Sequence, residues 1–451
     1  MRTTRRRLLK AGGLASILAA ARLPLPARAQ GQDRYARFRG QTISFNYPVH
    51  PHFDQAEKLF ADFTRETGIK VARDKMQYLR MKDKQVQEMS KPQGDYDLIT
   101  YVVMWKTEYA ARGFIEPLDP YLKNPALADP RYALHDLITP YYQNISLVGG
   151  PKSYLPGPGA RPYGLPFGAE TDVLAYRRDI LAKHGLQVPA TYAELLHACR
   201  VVREREPGMG GLSSRGENGH QVSHAWLLHL SPFAGQVFDA RWHAAFAGEA
   251  GIKAAEFLTE IVQTGPAGIP NFGFGDMQNA FLQGQSAFYL DSISIFGPAQ
   301  DSARSRIAGQ VGYAIHPKAA VHSGQTGGFG LAIPSNAKNK EAAFLFMQWL
   351  TSREQDTRIA ILGGSAGRWS TLDLPGLARQ YSAEFPVLRE ALKIANPDWR
   401  PLIPEWDGIS QQILGQALHD VITGKTSAKA ALAAAAPAAE QVLRTAGWLK
   451  A

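Results

Sequence analysis

Residues 42–47 are rich in β-branched and aromatic side chains and predict a strand. Behind them Ala56, Leu59, Phe60 and Phe63 recur at helical spacing, with Asp54 placed to cap that helix and Gly68 to end it. Residues 69–71 begin a second strand. Residues 97–103 form a third, a nearly unbroken apolar run of the kind that a sheet covered on both faces carries. Strand, helix, strand in that order specifies a parallel α/β sheet, whose ligands bind beyond the carboxyl ends of the strands. The geometry therefore puts 47–53 and 104–106 at the rim of a cleft.

Loops and short elements alternate through the middle of the chain. Gly and Pro crowd 151–166 into a surface loop, and short strands are predicted at 163–167 and 173–176, on either side of Glu170, Thr171 and Asp172. Thr191 and Glu194 form a capping box for a helix running to Arg205. Residues 207–220 read as a loop, and helices over 251–263 and 276–283 lead into a strand over 286–291. After Gly327-Gly328-Phe329-Gly330 a strand at 331–333 meets Pro334, and Asn339 precedes a strongly apolar helix over 341–350. Residues 363–367 are a glycine-rich connection, and the alanine-rich 428–439, interrupted by Pro437, reads as packing helix.

The N-terminus changes the reading of charge. Arg5-Arg6-Arg7-Leu8-Leu9-Lys10, a short apolar stretch over 11–21 and Ala27-Arg28-Ala29 have the order of a signal peptide, too short in its apolar part to span a bilayer. The arginines before Leu8-Leu9 and Lys10 resemble the twin-arginine export signal, so cleavage after Ala29 and delivery to the periplasm are expected. No cysteine lies near that point to carry a lipid anchor. Of the 50 basic and 40 acidic residues, seven basic and no acidic ones fall in 1–29, which lowers the net charge from +10 to +3. The basic excess belongs to the leader, so nucleic-acid binding is not implied. No later stretch is apolar enough to embed in a membrane. Cys199 is the only cysteine, which excludes an internal disulfide and a thiolate metal site; in a helical pattern it reads as a buried thiol. About 420 mature residues exceed what one core usually organises, so two lobes are expected.

Several segments in order resemble the family 1 extracellular solute-binding proteins, the maltose-type receptors of ABC importers. They are 60–71; Gly113-Phe114-Ile115-Glu116-Pro117-Leu118-Asp119; 163–171 with 176–179; 281–288; and 333–349. Together they span nearly the whole mature chain. Within the family the chain is similar to the sorbitol- and mannitol-binding branch, through Gly164-Leu165-Pro166-Phe167 with Glu170-Thr171, residues 235–239 before Trp242, and 264–268. It departs from that branch near Gly330 and Ala332, where an aromatic residue is usual. The resemblance implies an α/β, two-lobe periplasmic-binding-protein (Venus-flytrap) fold with three hinge crossings. These fall near Glu170-Thr171, Phe329-Gly330 and 363–367. Residues 30–170 and 331–363 then form lobe one, and 171–330 with 364–451 lobe two. The implied partners are a sugar or polyol and the transmembrane subunits of an ABC permease, the protein acting as a monomer without cofactor or metal.

A polyol offers apolar CH faces to aromatic rings and hydroxyls to charged or amide groups. Trp105 follows a sheet strand at its cleft end, and Glu170 lies at the hinge. His50 and His52 sit in the loop after the first strand beside Tyr47; no third ligand at a fitting distance supports a metal. Asp291 ends a strand aimed at the cleft, Arg368 follows the glycine-rich crossing, and Trp226, Phe329 and Trp406 are stacking candidates. Tyr141-Tyr142 resembles the tyrosine pair of iron-binding receptors but lacks partners. Two other readings compete. The same fold could take a phosphorylated or other anionic solute, such as a glycerol phosphate ester, through Arg368, His50 and Lys106. A secreted glycoside hydrolase could hide among the carboxylates, since paired acids have no motif, whereas P-loop, GxSxG, HExxH and Rossmann patterns are absent.

Overall fold

Strand β1 (Thr42–Pro48) pairs in parallel with β2 (Lys70–Met76) on one side and β3 (Leu98–Val102) on the other, the arrangement that the strand, helix, strand pattern predicts. The computed structural model describes residues 33–450, so the twin-arginine leader and the expected cleavage after Ala29 lie outside the described residues. The helix behind β1 starts earlier than expected. It begins at Pro51 with His50 as its cap, the imidazole Nδ1 accepting from the His52 amide at 3.3 Å, and Asp54 falls in its first turn. Proline at the first helical position suits this start, because that amide would have no helical partner.

A small antiparallel pair of two-residue strands, β4 (Leu147–Val148) with β5 (Arg161–Pro162), leads into the long strand β6 (Leu165–Arg177). Then follow β7 (Gly210–Ser213), β8 (Ser286–Ser292), β9 (Val311–Ala314) and β10 (Thr326–Ala332). The sheet runs in the order β2, β1, β3, β10, β6, β8, β7, with β9 also beside β6. β6 belongs to both ends. From Leu165 to Thr171 it pairs antiparallel with β10, and from Asp172 it pairs with β8 and β9. This is the two-lobe α/β fold, the half-sheet around β1 and the half-sheet around β8 sharing one strand.

The sequence suggests two short strands about a polar break where the structure has one bent strand. Gly168, at φ +69°, turns the chain inside β6, and β10 carries a register shift between Gly328 and Gly330 at the same level. The polar residues find partners on neighbouring segments, Glu170 in His50, Thr171 in Gln325 and Asp172 in His316, so they need no loop. β7 is missing from the sequence reading, which gives 207–220 as loop. Its glycines are there because backbones close on it: a Cβ on Gly211 would lie 2.4 Å from that of Cys199. Cys199 is a buried free thiol that burial pushes up to about 12. The helix Tyr192–Arg205 carries the expected capping box, Thr191 Oγ1 accepting from the Glu194 amide and Glu194 from the Thr191 amide at 3.0 Å. The last helix, Ala428–Thr445, runs through Pro437. Among the described residues, no helix is long and apolar enough to cross a membrane.

Under the β1 half-sheet the helix Phe60–Thr67 packs on the helix Lys340–Leu350 through a ring cluster. Phe346 lies 4.7 Å from Phe63, 5.3 Å from Phe60 and 5.8 Å from Phe45, centroid to centroid, and is fully buried. Phe346→Ala would empty the centre of this cluster and is expected to cost about 3–5 kcal/mol. Urea unfolding with unchanged far-ultraviolet circular dichroism of the native state measures it.

Candidate functional site

At the carboxyl end of β1 the His50 cap faces β6, and its Nε2 lies 3.0 Å from Glu170 Oε1. The His50 ring lies parallel to Phe274 at 5.7 Å and edge-on to Phe329 at 5.1 Å. Phe274 opens the helix Phe274–Leu282 from the other half of the molecule, so this ring pair spans the seam. Phe274 also carries the Arg215 guanidinium over its ring, 4.7 Å from its centroid. Arg215, just beyond β7, grips Asp291 of β8 with two hydrogen bonds, Nε to Oδ2 at 2.9 Å and Nη2 to Oδ1 at 2.6 Å. Gln221 Nε2 then donates to the Tyr78 hydroxyl at 2.9 Å, tying the helix His220–Leu230 back to the helix Tyr78–Met89.

The electrostatics follow from burial. Burial pushes the Glu170 carboxyl up, but the hydrogen bond and charge of His50, with Ser292 and Arg215 behind it, hold it below the usual carboxylate range. Asp291 keeps Arg215 charged against its burial, which by itself would favour loss of the proton. His220 and His224 are pushed well below the ordinary histidine range, first by burial and then by the Arg215 charge. Rings, a carboxylate edge and a guanidinium edge thus lie together where the two half-sheets meet. Those groups suit a molecule with apolar faces and polar rims.

The sequence model of the bacterial extracellular solute-binding proteins matches residues 49–357, most of the chain. The chain belongs to that family. Among relatives, this solute-binding protein is similar to the mannitol-binding protein of Pseudomonas aeruginosa, 27% identical over 454 residues, covering 96% of this chain and 98% of that one. Among solved structures it is similar to an ABC transporter solute-binding protein of Agrobacterium radiobacter K84 in complex with ribitol. The TM-score is 0.82, the identity 26%, and the match covers 90% of this chain and 99% of the other. A solute-binding protein of Agrobacterium vitis S4 with bound D-mannitol shares the fold at TM-score 0.78 and 23% identity, covering 91% of this chain and 100% of that one.

Of the residues singled out from the sequence, the structure brings together His50, Glu170, Asp291 and Phe329. The other six stand apart, each for a packing reason. Tyr47 is stacked between Phe45 and Phe53, at 4.8 and 6.2 Å. His52 turns away from His50, its ring against Phe167 at 4.5 Å and its Nδ1 accepting from the Ser365 amide at 3.2 Å. Trp226 donates its indole N–H to the Gly251 carbonyl at 3.0 Å inside the helical layer. Arg368 is fully buried and donates to the carbonyls of Thr351 and Ala133 and to Asp136, not to the cleft. Trp105 and Trp406 are fully buried among core side chains, neither indole N–H having a partner.

Sequence reasoning missed Tyr78, Arg215, Gln221, His220, His224, Phe274 and Arg400. One signal existed for Arg215. It follows Ser213-Ser214 and precedes Gly216, so recognising β7 would have set it at a strand's carboxyl end. The buried imidazoles also leave a measurable trace. His52 is pushed down to about 3, mainly by burial, and His229 lies well below the ordinary value for the same reason, with the His316 charge adding. With His220 and His224 these rings stay neutral when folded, whereas in the unfolded chain each takes a proton near pH 6.5. Their contribution is therefore complete above about pH 6.5 and is lost progressively as the pH falls below it. Urea unfolding is expected to show stability falling steadily from about pH 6.5 to pH 5, and a flat profile there would mean that these rings are not buried neutral.

Proposed function

We infer that this protein is the substrate-binding component of an ABC importer, which captures a sugar or polyol between its lobes and hands it unaltered to the permease. One observation carries the reading: the His50–Glu170 pair and the Arg215–Asp291 pair face the same space from the two half-sheets, with Phe274 between them. Aromatic faces against carbon–hydrogen surfaces and charged edges against hydroxyls are what a polyol needs. The ligands of the similar proteins, mannitol and ribitol, are of this class. The chemistry ends at binding and release. Family membership supports export, with cleavage after Ala29 and action in the periplasm as a monomer that meets the permease subunits.

The lobes divide at residues 30–170 with 331–363 and at 171–330 with 364–451, except that hydrogen bonds support a later third crossing. The Gly367 amide donates to Asp356 at 2.8 Å, the Ser370 amide to Asp136 at 3.0 Å, and the Tyr381 hydroxyl to the Ala360 carbonyl at 3.0 Å. Glu384 accepts instead from Gln300, which follows β8. The third crossing accordingly lies between Tyr381 and Glu384. Closing the lobes over solute is a two-state equilibrium that differential affinity shifts.

Thermal-shift measurements with a panel of neutral sugars and polyols are expected to find a compound that raises the melting temperature. At about 100 times its Kd it adds about 2.7 kcal/mol. Glu170→Gln is expected to weaken that compound about 10- to 100-fold, the loss of one charge-assisted hydrogen bond. Recovery of the compound chemically changed would end the receptor reading, as would a panel without any stabilising member when the corresponding sugar acids and phosphates also fail to bind.

A further inference from the structure

Arg400 has no counter-charge. Its side chain is 3% exposed, its Nε is sealed from solvent without a hydrogen-bond partner, and among the described residues no carboxylate makes an ion pair with it. Its guanidinium carbon lies 4.2 Å over the ring of Trp399, whose indole N–H donates to the Thr326 carbonyl of β10 at 2.9 Å. The position is on the cleft floor. Gly327 pairs with Glu170 across β10 and β6, so both point to one face of the sheet. A Cβ on Gly327 would meet Arg400 Nη2 at 3.4 Å and Val103 Cγ1 at 3.7 Å. The guanidinium thus lies in van der Waals reach of the Gly327 position, on the face of the sheet that carries Glu170.

A second cation stands close by. Lys106 follows the tight turn Val103–Trp105, is fully buried, and donates to the carbonyls of Asn144 at 2.5 Å and Leu147 at 2.7 Å, with no carboxylate in contact. Burial, then the charge of Arg400, pushes its ammonium down to about 7; burial, then the charge of Arg215, pushes Arg400 down to about 9. The neighbouring carboxylates are engaged elsewhere: Asp291 by Arg215, Glu170 by His50, and Asp407 by Lys82 at 2.5 Å. Buried cations without a counter-charge are strongly disfavoured, and a planar guanidinium with open donors fits two oxygens of a carboxylate or phosphate.

We propose that the solute is a polyhydroxylated anion, a short sugar- or polyol-like chain ending in one carboxylate or phosphate, whose charged end pairs with Arg400 while Lys106 reinforces the field. This rests on the receptor reading above and narrows its substrate class. Isothermal titration of the mature protein with two matched sets tests it: ribitol, ribonate and ribitol phosphate, then glucitol, gluconate and glucitol phosphate. In at least one set an anion is expected to bind about tenfold or more tighter than its neutral polyol, as an added charge-assisted pair requires. The tighter of the two anions identifies the group. Arg400→Gln is expected to abolish the preference, and Arg400→Lys to keep part of it. Neutral polyols that bind as tightly as both their anions in each set that binds at all overturn the proposal and leave the receptor reading standing. So does an Arg400→Gln protein that binds with the preference intact. No binding by either set, with none from the neutral panel, removes both.

Discussion

Asp172 stands where β6 leaves β10 and takes up β8 and β9, and at that handover a strand would ordinarily leave backbone groups without partners in a buried place. Side chains close the gap. Asp172 Oδ1 accepts from the Gln325 amide at 2.5 Å, just before β10, and Thr171 donates to the Gln325 carbonyl. The other Asp172 oxygen holds His316, whose Nε2 meets the Tyr192 hydroxyl at 2.7 Å, and that hydroxyl meets His229 Nδ1 at 2.9 Å. All of these groups are buried, so the network is costly if any member is lost. What it secures is the direction of β6 two residues earlier, where Glu170 emerges.

That arrangement bears on how the lobes close. Several contacts reach across the seam without solute: His50 on Phe274, Gln221 to Tyr78, and Lys82, which bridges Glu108 at 2.7 Å and Asp407 at 2.5 Å. Moving a population from 1:99 to 99:1 takes about 5.5 kcal/mol of differential affinity. Each contact that the closed protein makes with itself reduces what the solute must supply. The solute then decides the equilibrium through the groups left unsatisfied, among them Arg400 Nε and His224 Nδ1.

Much of the fold was legible because its strands are apolar runs and its helices carry clear periods; β1, β3, β8 and the helices at 192, 249 and 340 fall within a few residues of their expected places. The misreadings share a cause. Gly168 and the polar Glu170-Thr171-Asp172 look like a break, and Gly210-Gly211 looks like a loop, because local sequence signals turn where glycine supplies room for another segment or a bend within a strand. Whether a glycine ends an element or lets a neighbour approach depends on what packs against it, which is set by residues far away in the chain.

The site was less legible for a related reason. Large aromatic residues are the first candidates for stacking, yet the hydrophobic effect pulls most of them into the core, as with Tyr47, Trp226 and Trp406, all fully buried. The same reasoning misled on charge. Arg368 looked available because it follows a flexible connection, and it is consumed by Asp136 and two carbonyls; Arg400, in Asp398-Trp399-Arg400, carried no signal at all. A buried guanidinium is informative only once its neighbours are known, since its partner can be any carboxylate in the chain or none. In this protein the nearby carboxylates already have partners, Asp291 in Arg215, Asp407 in Lys82 and Glu170 in the His50 ring, and the acceptor that Arg400 lacks is the group we propose comes with the solute.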